Sequence, residues 1–168
     1  MSTRAAYSYR DYDEYLNVRP GLLFWLVMAF TLRPFVVLVA SLSNRTDRSA
    51  ILNIFYPDQF EAFLGCAAAL PALLLLFGYV RRRPEAHAIF RAVWRKGKLL
   101  LTAALLLDIA VVVAPILTRG DIPATNGLVS GATSVVLLVL VVRSNRLKDA
   151  FAGFPDTVPS ADSRRATA

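Results

Sequence analysis

Residues 122–142 read IPATNGLVSGATSVVLLVLVV, twenty-one residues without a single charge. A hydrocarbon core about 30 Å thick needs roughly 20 apolar residues as helix, each rising about 1.5 Å. The stretch has that length. In lipid it must be helical, because its backbone polar groups have no water to bond. Three further blocks upstream match it. Residues 99–117 (LLLTAALLLDIAVVVAPIL) carry only Asp108, residues 60–80 (FEAFLGCAAALPALLLLFGYV) only Glu61 at their start, and residues 21–42 (GLLFWLVMAFTLRPFVVLVASL) only Arg33. A soluble helix shows an apolar stripe with a 3.6-residue period. Here whole blocks are apolar, and four of them in 168 residues leave almost no polar face to solvate a soluble bundle. The expected fold is all-α, an integral membrane four-helix bundle.

Composition agrees. Hydrophobic residues make up 56% of the chain and charged residues 18%, against about 25% charged in an ordinary soluble domain. Mean hydropathy is +0.50. That balance excludes a disordered chain. A single cysteine, Cys66, excludes an internal disulfide framework, and a single histidine, His87, excludes a histidine-cluster metal site. Cys66 lies among Ala and Leu, where a buried, inert thiol is expected. No HExxH, GxSxG, P-loop or GxGxxG pattern occurs. The expectation is no enzyme, with no catalytic, cofactor-binding or metal-binding residue. Asp11, Asp13 and Glu14 cluster before the first block, but Tyr7, Tyr9, Tyr12 and Tyr15 interleave with them and no metal-loop spacing appears. Residues 1–20 read instead as an ordered cytoplasmic lead-in. This mixed-charge lead-in, and the Arg33-Pro34 pair inside the long first block, argue for a retained span and against a cleavable signal peptide.

Orientation follows from lysine and arginine. Fifteen of the nineteen fall in residues 1–20, 81–98 and 143–168, three fall in 43–59 and 118–121, and Arg33 lies within the first span. The positive-inside rule places both termini and the long middle loop in the cytoplasm. The net charge of +7 then describes one face of a membrane protein. A nucleic-acid surface is the rival reading of the basic excess, and no binding motif or stacking platform accompanies it. The partners expected are membrane lipids, anionic headgroups included, and a membrane-protein partner or further copies of the chain.

Between the spans, Asp58-x-x-Glu61 has capping-box spacing, with Asp in place of Ser or Thr. Phe55 and Tyr56 fall where an interfacial aromatic belt is expected. Ile51 to Phe55 is too short to cross; it either lies flat at the outer surface or packs on the helix ends. Arg81, Arg82 and Arg83 follow the second span directly and read as an interfacial anchor. Pro84 suits a helix start. Ile89, Phe90, Val93 and Trp94 then recur at helical spacing among Arg91, Arg95, Lys96 and Lys98. The pattern predicts a short amphipathic cytoplasmic helix between spans two and three, with Trp94 as a further interfacial anchor. It serves either as a membrane-surface connector or as a docking helix. His87 has no visible companions and reads as solvated. Gly127-x-x-x-Gly131, with Ser130 and Ser134, offers close helix approach, for which packing within the bundle is favoured over dimerisation. Pro71 and Pro115 are expected to kink or end their spans. Residues 143–168 read as a largely disordered cytoplasmic tail.

Arg33 and Asp108 are the costly residues, since a charge at mid-bilayer costs about 2.5–3.5 kcal/mol. Both lie on spans that run outward. Arg33 is about 18 Å beyond Gly21 and Asp108 about 14 Å beyond Leu99, at about 1.5 Å per residue. They are within about one turn in depth, so an Arg33–Asp108 contact is expected, each reducing the other's desolvation cost. The pair either fixes helix register or serves a polar relay or ion path. If the two do not meet, carbonyls freed at Pro34 hold Arg33, and Asp108 is protonated.

Tyr12-Asp13 leading to Leu16-x-x-Arg19-Pro20, a Trp-containing span with Arg33, then Ser43-x-Arg45 and Leu52-Asn53-Ile54-Phe55-Tyr56-Pro57-Asp58 together resemble the bacterial domain-of-unknown-function family 2919. The resemblance covers residues 9–80 and, by layout, the remainder. It implies a multi-pass protein of the bacterial inner membrane and carries over no functional residue. The functional expectation is an accessory or interaction subunit of a membrane assembly. The alternative is a small oligomeric transporter or channel using Arg33 and Asp108.

Overall fold

The computed structural model describes residues 20–43, 56, 59–81, 87–120 and 125–154, and every regular element among them is helical. In chain order these are α1 (Leu22–Thr31), α2 (Arg33–Ser43), α3 (Gln59–Val80), α4 (Ala88–Arg95), α5 (Gly97–Arg119), α6 (Thr125–Arg143) and α7 (Asn145–Ala152). By length and hydropathy α3 and α5 can each cross a membrane. Two bent pairs, α1 with α2 at 51° and α6 with α7 at 64°, bring the number of candidate spans to at most four. The second bend falls at a change of composition, because α7 carries Arg146, Lys148 and Asp149.

The expected first span, 21–42, is two helices. Pro34 lacks an N–H, and its ring crowds the carbonyl four residues back. α1 therefore closes at Leu32, whose N–H reaches the Met28 carbonyl at 2.9 Å. α2 restarts with the Phe35 and Val36 N–H groups donating to the Leu32 carbonyl at 3.0 and 3.2 Å. Pro71 and Pro115 lie inside α3 and α5, and neither ends its helix, contrary to one of the two outcomes expected of them. α5 stops at Gly120, whose φ of 71° is the left-handed conformation that glycine adopts without a Cβ penalty.

α5 is the central helix, packed against α1, α3, α4, α6 and α7. Two kinds of packing divide the molecule along its length. Near the end carrying α4 and α7, Phe24, Val27, Met28, Leu75, Trp94, Leu101, Leu105, Val141 and Phe151 form one buried core. Phe24, Tyr79, Trp94 and Phe151 meet there with ring centroids 5.0–6.2 Å apart. Further along, the buried residues are small or polar: Ala62, Ala68, Thr31, Ser41, Asp108 and Ser134. The outer surface is apolar on every long helix, with Leu22, Val36, Phe63, Phe77, Leu117 and Val136 all more than half exposed. Such faces suit a hydrocarbon solvent far better than water.

Residues 145–154 correct one expectation. They belong to the predicted disordered tail, yet α7 forms, capped by the Ser144 hydroxyl accepting from the Leu147 N–H at 3.2 Å. Leu147, Ala150, Phe151 and Phe154 are buried. These apolar side chains at helical spacing supply the burial that a polar tail lacks. Residues 155–168 lie outside the described residues, as does the lead-in before Pro20.

Candidate functional site

The break at Leu32 makes Arg33 the first residue of α2, and its guanidinium crosses to two other helices. Arg33 Nη2 donates to Asp108 Oδ1 at 2.9 Å and Oδ2 at 3.1 Å, and also to Ser130 Oγ on α6. Ser134, one turn along α6 and fully buried, donates its hydroxyl to Asp108 Oδ2. The carboxylate thus accepts from two helices besides its own. Arg33 also stacks on Phe30, with its guanidinium carbon 4.2 Å from the ring centroid. The Asp108 side chain keeps 11% of its exposure and that of Arg33 30%. The acid is therefore the more desolvated partner and depends more on its bonds.

A fifth member enters from outside the helices. Tyr56 lies beside Gly65 and Pro34, with ring carbon Cε1 3.6 Å from where a Cβ on Gly65 would stand. Its hydroxyl is near enough to Arg33 to feel the guanidinium. Burial pushes the Tyr56 phenol above its ordinary value of 10.0, against the opposing pull of Arg33. A cluster of one cation, one anion and three hydroxyls is electrically neutral and internally hydrogen-bonded. It can fix the relative rotation of α2, α5 and α6. Among the described residues no group of three or more metal-ligating side chains occurs.

Residues 7–153 match the family described as "Protein of unknown function (DUF2919)". The chain belongs to the DUF2919 family. Inner membrane protein YfeZ of Escherichia coli (strain K12) is 31% identical to it over 141 residues, covering 83% of this chain and 90% of that protein. No solved structure matches it.

In this DUF2919 chain the structure brings Arg33 and Asp108 together and places Arg81 and Trp94 apart from them. Arg81 is exposed just after α3; Arg82, Arg83 and Asp58 lie outside the described residues. The predicted amphipathic helix is α4, with His87 exposed at its start. Trp94 is corrected: it is not at an interface but fully buried. Its indole N–H lies 3.1 Å from the Ala150 carbonyl and 3.0 Å from that of Gly153, at the end of α7. An anchoring tryptophan needs its N–H among headgroups; here protein carbonyls take that place. Gly131 serves helix approach, since a Cβ there would stand 3.1 Å from Val112 Cγ1 on α5.

Sequence reasoning noted Ser130 and Ser134 only as small residues. Their depth was a usable signal. Ser134 stands eight residues before Val142, about 12 Å at 1.5 Å per residue, close to the level of Asp108. Tyr56 gave no such signal, because an aromatic next to a span reads equally well as a belt residue.

Proposed function

We propose that this DUF2919 protein is a four-span protein of the bacterial inner membrane with both termini cytoplasmic. Its Arg33–Asp108 cluster is a structural lock, and the molecule acts as a non-enzymatic accessory subunit of a larger membrane assembly. One observation carries the lock: Asp108 accepts from Arg33 on both carboxylate oxygens and from Ser134 on Oδ2, so both oxygens are bonded to neighbouring helices. A relay or ion path needs a charged group free to exchange partners, and this carboxylate is committed to the neighbouring helices. The apolar outer faces and the inner-membrane relative support the location, and the basic segments at both termini and between α3 and α5 support the orientation. The subunit role is supported by the small size, the absence of a chemistry-bearing motif and the closed cluster. The alternative, a small oligomeric transporter, is favoured by one feature. Arg33 sits at a broken helix, as ion and substrate sites do in many transporters.

Co-purification from native membranes in gentle detergent, at native expression level, separates the two. The expected result is a stoichiometric membrane partner whose loss lowers the abundance of this chain. A clean homo-oligomer that is stable alone contradicts the subunit reading and favours transport.

A further inference from the structure

α4 and α7 are packed together over one end of the long helices. The Trp94 indole ties α4 to the carbonyls of Ala150 and Gly153, and the guanidinium carbon of Arg91 stands 5.3 Å from the Phe154 ring. Val93 of α4 reaches the end of α3, 3.2 Å from where a Cβ on Gly78 would stand. Lys98 Nζ, at the start of α5, donates to the Val142 carbonyl of α6 at 2.9 Å and to the carbonyl of Ser144, between α6 and α7, at 3.4 Å. The two short helices are thus fixed on the bundle.

The charge on this end is one-sided. Among the described residues it carries Arg81, Arg91, Arg95, Lys96, Lys98, Arg143, Arg146 and Lys148, against Asp149 alone. Arg95, Lys96 and Lys148 are exposed. Arg91 is held differently: its Nε is buried and has no hydrogen-bond partner. Beside these cations Ile89 on α4 is 63% exposed and Val80, the last residue of α3, is 65% exposed. Large apolar side chains next to exposed cations, at the end of apolar helices, match the order of a bilayer surface from acyl chain to phosphate.

We propose that the α4–α7 cap binds the phosphodiester headgroups of anionic phospholipids. Arg95, Lys96 and Lys148 are the exposed phosphate ligands, and Arg91, set against Phe154, is the fixed one. The proposal rests on the membrane-spanning reading, which puts this end at headgroup level. Apolar residues interleaved with the cations favour a lipid over a soluble polyanion, which would leave Ile89 and Val80 in water.

The test uses the full-length protein purified in neutral detergent. Its thermal midpoint is measured with added phosphatidylglycerol, with phosphatidylcholine of the same acyl chains, and with a soluble polyanion of equal charge. The expected result is a midpoint rise of several degrees with phosphatidylglycerol only. At least half of that rise is lost in the R95Q/K96Q/K148Q variant, whose changes are all at exposed positions, and in R91Q. S43A, at the far end of α2, keeps the full rise. Equal rises with both lipids, an equal rise with the polyanion, or an unchanged response in the triple variant overturns the proposal. Alkaline carbonate extraction of the membranes runs in parallel. A protein that stays integral but shows no phosphatidylglycerol-specific rise loses only the headgroup site. A protein released by carbonate loses the spanning reading as well.

Discussion

The arrangement turns on one carboxylate. Asp108 lies near the middle of α5 and is its only charged residue between Lys98 and Arg119, and its neighbours explain how it is tolerated. Arg33 supplies the opposite charge and Ser134 a buried hydroxyl. A hydrogen bond to a charged group contributes about 1.5–3 kcal/mol. Ser134→Ala should therefore lower unfolding stability in detergent by about 1.5–3 kcal/mol, measured by denaturant titration. Ser43→Ala, which removes an exposed hydroxyl bonded only to its own helix, should change it far less. Tyr56 gives a pH signature. Burial favours its neutral form, so the folded phenol releases its proton at a higher pH than the unfolded one. At neutral pH both states hold that proton and the shift contributes nothing. As pH rises past the ordinary value of 10.0 the unfolded state releases it first, and stability falls. Stability curves of wild type and Tyr56→Phe should run parallel near neutral pH and diverge above pH 10, the variant losing less; parallel curves throughout would mean that burial of Tyr56 does not outweigh the pull of Arg33.

At the level of elements, the two bends set where the charges and aromatics meet. The Pro34 break lets the α1 aromatics serve the core at one end while Arg33 begins a new helix and reaches across to α5 and α6. At the other bend, α7 closes the aromatic core by placing Phe151 over Gly97. A Cβ on Gly97 would stand 2.4–2.9 Å from the Phe151 ring, and that ring is packed against Trp94 and Phe24. Gly97→Ala should cost about 1–3 kcal/mol through overpacking. It should also raise protease cleavage and hydrogen exchange within α7, while exchange in α3 stays as it was. Unchanged α7 protection would mean that Phe151 does not close the core. The apolar blocks fixed the helices in advance because span length follows directly from bilayer thickness. The matching depths of Arg33 and Asp108 likewise made their contact legible. The break at Leu32 was visible only as a proline that could bend or spare its helix, as Pro71 and Pro115 illustrate. α7 was missed because eight residues with three charges resemble a tail until Trp94 provides the surface they cover. Trp94 itself was misread because an aromatic at a span's edge has the same sequence signature whether it faces lipid or protein.

For the molecule as a whole, charge and packing are both polarised along the helices. The end carrying α4 and α7 holds the buried aromatics and most of the described cations; the remainder is held by small residues and the polar cluster. With few large apolar contacts buried there, helix register depends on the few groups that bond across helices. The value of the proposed Arg33–Asp108 lock lies in being paired. The most direct measurement is membrane abundance and thermal midpoint for Arg33→Asp, Asp108→Arg and the double exchange, side by side. Each single change puts two like charges together, and removing one partner of a buried pair already costs about 3–5 kcal/mol. Strong loss is expected in both singles and substantial recovery in the double exchange. A double variant no better than the worse single would contradict the pairing as the source of stability.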